Sequence, residues 1–228
     1  MSVELRVLED PARAAGELLA EAVVPGAQLA LSGGSTVGGA YESAARLQGR
    51  WRDVHVWFGD ERVVPPQDER SNYRLVRETL ADALGSPPEL HRIRGERSPE
   101  EAAELYDAEL EGVALDLALN GIGGDGHTAS LFPRAPGLEE TERRAVAAEP
   151  GLEPFVPRVT LTPPVFAACG LLVYLVSGAD KADAVRRAFA ADPSPDTPAS
   201  LVRGRTTLAL LDPAAASLLG DAPGFRDS

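Results

Sequence analysis

The 228-residue sequence predicts an α/β fold: an open, mostly parallel sheet flanked by helices, in a single domain spanning residues 1–228. Three observations support this. Apolar, β-branched-rich runs alternate with helical patterns from end to end, as repeated βαβ units require. Several of those runs are nearly continuous in apolar residues, as expected of parallel strands covered on both faces. The proline-rich segments (Pro65-Pro66, Pro87-Pro88, Pro163-Pro164 and Asp192–Pro198) are no more than ordinary connections, and no internal repeat is visible.

In chain order, the apolar runs place strands at Val3–Leu8, Gln28–Leu31, Val54–Phe58, Leu115–Leu119, Leu171–Val176 and Thr207–Leu211. Helical patterns fill the intervals at Ala12–Ala22, Val37–Leu47, Tyr73–Leu84, Pro99–Glu111, Asp180–Phe189 and Ala214–Leu219. The fourth helix carries the strongest start signal: Ser98 as cap, Pro99 at the first helical position and Glu101 as the reciprocal acceptor. The stretch Arg134–Pro157 is the least regular, with one short strand expected around Ala145–Ala148.

Composition narrows the function. Hydrophobic residues make up 44% and charged residues 25%, which is ordinary for a globular chain. One cysteine, Cys169, permits no intrachain disulfide and suits a reducing compartment. The acidic, weakly apolar start (Met1-Ser2-Val3-Glu4) does not read as a signal peptide, and no run approaches eighteen apolar residues. A cytoplasmic location is expected. The net charge of −13 repels nucleic acid and anionic membranes, so neither is an expected partner. An anionic small molecule would need a local cluster of donors and cations. Twenty-one of the 22 cationic side chains are arginine, and the one lysine is Lys181. Arginine does not replace a compact ammonium everywhere, so Lys181 is either a contact residue or a chance survivor. Oligomeric state is not legible; a monomer is compatible with the sequence.

Four unusual loops each follow a predicted strand, the position where open α/β sheets bind ligands. The first, Ser32-Gly33-Gly34-Ser35-Thr36, offers close backbone approach, hydroxyls and helix-start amides to an anion, or is simply a capped turn. It lacks the lysine of a nucleotide phosphate loop. The second, Gly59-Asp60-Glu61-Arg62, leads to Ser71-Asn72-Tyr73-Arg74; Arg62 can fork onto phosphate oxygens, or the segment is a solvated salt-bridge turn. The third runs from Asn120 through Gly121, Gly123, Gly124, Asp125 and Gly126 to His127 and Thr128. His127 has the only side chain here whose unperturbed pKa lies near neutrality, and Asp125 can orient it. A surface glycine loop with an incidental histidine is the alternative. The dinucleotide fingerprint at Gly121, Gly123 and Gly126 falls mid-chain without the acidic strand end it needs, so no nucleotide cofactor is expected. The fourth, Ser177-Gly178-Ala179-Asp180-Lys181, puts the lysine at a helix start, where a bound anion would relieve its conflict with the helix dipole.

Other chemistries fail on inventory. His55, His91 and His127 show no metal-ligand spacing, and Cys169 has no cysteine partner, so no metal is expected. No nucleophile elbow is present. His55 and Cys169 read as structural residues within apolar surroundings.

These segments, together with Ala129-Ser130-Leu131-Phe132-Pro133, Arg158-Val159-Thr160-Leu161-Thr162 and Gly178 with Lys181, resemble the signature segments of the 6-phosphogluconolactonases, in family order. The resemblance implies a modified Rossmann-like fold and cofactor-free, metal-free hydrolysis of a sugar-phosphate lactone in the pentose phosphate pathway. It implies that His127 is the general base and that Asp125 orients it. It implies that Gly33, Gly34, Ser35, Thr36, Arg62, Arg158 and Lys181 bind substrate or phosphate. Val37 stands where the family often has proline, a departure that touches only the helix start. Which cation meets the phosphate, and whether loop amides or a cation stabilise the oxyanion, stay open. Two other readings compete with it. Aminosugar-phosphate deaminases carry a tyrosine after the acidic pair of the second loop, where this chain has Arg62, and a different tail after the histidine. Non-catalytic sugar-phosphate sensors usually carry a DNA-binding extension, for which the sequence shows no candidate.

Overall fold

The structure, a computed structural model, describes residues 3–151, 153, 155–220 and 225–226; the side chains of Ser35, Phe225 and Arg226 lie outside the description. Its principal sheet contains β1 (Val3–Val7), β2 (Gln28–Leu31), β3 (His55–Phe58), β5 (Glu89–Leu90), β6 (Leu117–Asn120), β9 (Leu171–Val176), β10 (Thr206–Leu211) and β11 (Phe225–Arg226). The strands are ordered β11-β1-β10-β9-β6-β2-β3-β5, and every pairing is parallel. The expected open parallel sheet is therefore observed, and its continuous apolar runs have the expected cause. Adjacent residues, which point to opposite faces, are buried together: Leu29 and Ala30, Val56 and Trp57, Leu117 and Ala118, and Val173 and Tyr174.

Helices cover the sheet: α1 (Pro11–Glu21), α2 (Ser35–Leu47), α3 (Asn72–Thr79), α4 (Pro99–Glu109), α5 (Pro163–Ala168), α6 (Ala182–Phe189), α7 (Pro198–Leu201) and α8 (Pro213–Ala216). Side-chain caps explain four of these eight starts. Asp10, Ser71, Ser98 and Asp212 each accept a hydrogen bond from a first-turn amide, at Arg13, Arg74, Glu101 and Ala215 respectively. The reciprocal half of the Ser98 box is not made: Glu101 instead accepts from Arg97, 3.2 Å away. The long third helix expected over Tyr73–Leu84 stops at Thr79 and gives way to a 3₁₀ turn at Ala81–Ala83. No helix among the described residues is long and apolar enough to cross a membrane.

A second, three-stranded antiparallel sheet was not legible in the sequence beyond one of its strands. It comprises β4 (Asp60–Arg62), β8 (Arg158–Leu161) and β7 (Ala145–Ala148), in the order β4-β8-β7. β7 coincides with the short strand expected in the irregular stretch. β4 is charged and only three residues long, so neither apolarity nor alternation marks it. Its antiparallel register sets Asp60 opposite Thr160 and Arg62 opposite Arg158. This small sheet stands at the carboxyl end of β3, separated from it only by Gly59, and forms one wall of the principal cleft.

Candidate active site

Three central strands, β9, β6 and β2, are neighbours in the sheet, so the loops that leave their carboxyl ends converge. Together with the β4–β8 wall they enclose a cleft of about 260 Å³. Gly33, Gly34, Thr36, Arg62, His127, Arg158 and Lys181 all line it. Asp125 does not line it but touches His127 from behind. The Ser35 side chain lies outside the described residues.

His127 is held from two directions. Its Nδ1 lies 2.6 Å from Asp125 Oδ1, and the same oxygen accepts the His127 backbone N–H at 3.1 Å. Phe132 packs against the ring with centroids 5.0 Å apart. With a proton on Nδ1 donated to Asp125, the ring's basic lone pair sits on Nε2, on the side away from the carboxylate. Burial pushes the Asp125 carboxyl up, but the hydrogen bonds and charge of His127 outweigh it and hold the group below the usual carboxylate value. The loop is closed by a hydrogen bond from Gly123 N–H to His127 carbonyl at 2.9 Å. A β-carbon on Gly123 would stand 2.1 Å from His127 Nδ1 and Cε1, so only glycine lets the loop fold back this tightly.

The cationic wall opposes an acidic chain. Arg62 and Arg158 are paired across β4 and β8. Arg62 donates from Nη1 to the Arg70 carbonyl at 2.6 Å, while its buried Nε has no hydrogen-bond partner among the described residues. Arg158 is 5% exposed and donates from Nε to the Val156 carbonyl. Burial pulls its guanidinium below the ordinary value, and the neighbouring charge of Arg62 adds to the shift. Two like charges held this close are relieved by an anion between them. Lys181 approaches from the other side, its Nζ 3.0 Å from Asp180 and its side chain 31% exposed. It ends the 3₁₀ turn Ala179–Lys181 directly before α6, so its expected place at a helix start is observed, one residue outside the α-helix proper. Asp212 fixes this turn by accepting the Gly178 N–H at 3.0 Å.

The first loop supplies a different kind of donor. α2 begins at Ser35, two residues before the expected start, because Gly34 takes φ +130° as its N-cap. No side chain caps this helix. Its first-turn amides therefore keep unused donors at the cleft, in contrast with the capped starts of α1, α3 and α4.

Several site residues escaped the sequence reading as individuals. Asn120, fully buried, accepts from Ser32 Oγ at 2.9 Å and donates from Nδ2 to Thr128 Oγ1 at 3.2 Å, joining the first and third loops. Asp60 accepts from Ser130 Oγ at 2.6 Å and from Asn72 Nδ2 at 2.9 Å, tying the β4 wall to the histidine segment. Glu61, read as part of a polar wall or salt-bridge turn, does neither: it accepts the backbone amides of Arg62, Asn72 and Tyr73 and seats the start of α3. Burial pushes its carboxyl up, against the pull of those three amides. Arg187 of α6 donates to the carbonyls of Gly124 and Asp125 at 3.1 and 3.2 Å and clamps the loop that carries His127. A polar residue ending an apolar strand signals Asn120; no local pattern signals Arg187.

Residues 5–210 match the family model described as glucosamine-6-phosphate isomerases/6-phosphogluconolactonase. The chain is 36% identical over 167 residues to a 6-phosphogluconolactonase of Haemophilus influenzae, covering 69% of this chain and 71% of that one. It is 34% identical over 214 residues to a 6-phosphogluconolactonase of Streptomyces coelicolor, covering 85% and 82% respectively. Among solved structures it is similar to 6-phosphogluconolactonase from Leishmania guyanensis, with a TM-score of 0.82 at 27% identity over 94% of this chain and 98% of that one.

Proposed function

The chain belongs to the family of glucosamine-6-phosphate isomerases and 6-phosphogluconolactonases, and from that premise we propose that it hydrolyses 6-phosphoglucono-δ-lactone to 6-phosphogluconate in the pentose phosphate pathway. The observation that carries this reading is the pairing of a carboxylate-oriented imidazole, His127 on Asp125, with a cationic wall in one cleft. The imidazole serves the lactone carbonyl and the cations serve the phosphate.

The reaction follows from these parts. His127 Nε2 takes a proton from water as its oxygen attacks the lactone carbonyl. Asp125 stabilises the imidazolium that forms. The tetrahedral oxyanion is met by backbone amides of the glycine loop or by a cation of the wall. Collapse breaks the bond to the ring oxygen, which receives the proton from His127, leaving the open-chain acid. Gly33, Gly34, Ser35 and Thr36 at the uncapped start of α2, with Arg62, Arg158 and Lys181, hold the phosphate and substrate. Each step uses only groups of this chain and water. We assign the protein to the cytoplasm, in keeping with its one buried thiol, Cys169.

The test is to follow disappearance of freshly generated 6-phosphogluconolactone against its spontaneous hydrolysis, with glucosamine-6-phosphate as the control substrate. Acceleration of lactone loss without ammonia release from the aminosugar is expected. Ammonia release, or lactone loss at the spontaneous rate, overturns the reading.

A further inference from the structure

We propose that His55, Glu89 and His91 form a second site, remote from the cleft, that binds one divalent transition-metal ion of the zinc class. The sequence concealed it, because His55 and His91 lie in separate segments with no ligand spacing. Strand register brings them together. β3 and β5 pair in parallel with His55 opposite Glu89, and His91 N–H continues the ladder to the Val56 carbonyl at 2.8 Å. Side chains alternate along a strand, so His55, Trp57, Glu89 and His91 share one face.

The ligand atoms are spaced for an ion. His55 Nδ1 and His91 Nε2 lie 2.9 Å apart; Glu89 Oε2 is 3.5 Å from the first, and Glu89 Oε1 is 3.8 Å from the second. A tetrahedral zinc with bonds of about 2.0–2.1 Å sets its ligand atoms about 3.3 Å apart, and these separations straddle that value. A hydrogen bond between the two rings accounts for the histidine pair alone. It does not account for a carboxylate turned with one oxygen toward each ring, at distances long for hydrogen bonds but suitable for neighbours around a shared ion.

The surroundings fit as well. His91 stacks on Trp57 with centroids 4.0 Å apart and planes 8° from parallel, which fixes the ring before any ion arrives. Glu89 is 66% exposed, so the fourth position opens to water. Two imidazoles and one carboxylate suit zinc, nickel or copper better than magnesium or calcium. His55 begins β3, whereas the cleft lies beyond its other end at Gly59. The ion would staple the two-residue edge strand β5 to β3 and take no part in hydrolysis.

The test uses the full chain, freed of metal by chelation and desalting, titrated with zinc chloride by calorimetry. One ion bound at micromolar or lower zinc is expected for the wild type and for His127→Asn, which controls for zinc in the cleft. Loss of an outer partner of a ligand costs about 10–100-fold in affinity, so His55→Gln and Glu89→Gln, each losing a ligand, should bind at least that much more weakly. Both replace partly exposed side chains, and both should hydrolyse lactone at the wild-type rate without metal. At about a hundredfold excess of zinc over its dissociation constant, the melting temperature of the wild type should rise by about 5–10 °C, and that of His55→Gln should not. The proposal is overturned if the wild type binds no zinc below millimolar concentration. It is overturned equally if the His55 and Glu89 variants bind like the wild type, or if only His127→Asn loses the ion.

Discussion

Replacing Asp125 by Asn removes a charge and leaves the shape of the site almost unchanged, which makes it a measure of how much the carboxylate contributes to catalysis. Two unit charges about 4 Å apart interact by about 4 kcal/mol at an effective dielectric near 20. Asp125 and His127 are 24% and 26% exposed, and solvent screening reduces this to about 2–3 kcal/mol. The interaction exists only once His127 carries the proton taken from water, so it acts on the transition state and not on substrate binding. Asp125→Asn should therefore lower kcat by about 30–150-fold, with KM within a factor of about three. The assay is steady-state hydrolysis of freshly made lactone, corrected for spontaneous loss at each concentration. The fold should lose only about 1 kcal/mol, or about 2–4 °C of melting temperature for a chain of this size. The sign of the pH dependence is determined. Asp125 is depressed below its ordinary value of 3.8, so its contribution is complete above that pH and is lost as the pH falls through the lowered value. The melting-temperature gap between wild type and variant should accordingly close in strong acid. A variant with wild-type kcat, or one whose deficit lies wholly in KM, would refute the orienting and charge-stabilising role.

Three further outcomes are expected. Gly123→Ala forces a β-carbon to 2.1 Å from the His127 ring, so kcat should fall by at least about tenfold for a misplacement of this kind; a wild-type rate would show that the loop relaxes freely. Lys181→Ala should cost about 2–5 kcal/mol of substrate or transition-state stabilisation, and Lys181→Arg should raise KM because a forked guanidinium does not replace a compact ammonium. If both behave like Arg46→Ala, an exposed control, Lys181 does not contact the substrate. Cys169 is buried and its thiol is pushed up to about 12 by that burial, so a thiol reagent at mildly alkaline pH should label unfolded protein and spare the native form; its contribution to stability is intact below the ordinary thiol value of 9.0 and fades as the pH rises toward about 12.

What the sequence disclosed depended on how local the determining physics is. β2, β3, β6, β9 and β10 are legible because a strand buried on both faces must be apolar throughout, and that requirement is written in consecutive residues. The convergence of loops at Ser32, Asn120 and Ser177 follows from the same reading, since parallel strands send those loops to one edge. β4 and β8 escape because their stability comes from pairing with each other across a long stretch of chain, and Arg62 faces Arg158 only through that register. Arg158 entered the candidate site through family resemblance alone. The clamp of Arg187 on the His127 loop and the meeting of His55 with His91 are likewise tertiary facts. Glu61 shows the opposite failure: its type and place looked functional, yet its carboxylate is occupied by three backbone amides.

In the proposed reaction His127 draws the proton from water. The most direct test of this step is the steady-state rate of His127→Asn beside the wild type on freshly generated 6-phosphogluconolactone, in protein shown to be folded. Loss of a general base predicts a fall in kcat of about 10²–10⁴-fold with KM little changed. Turnover close to the wild-type rate would contradict it.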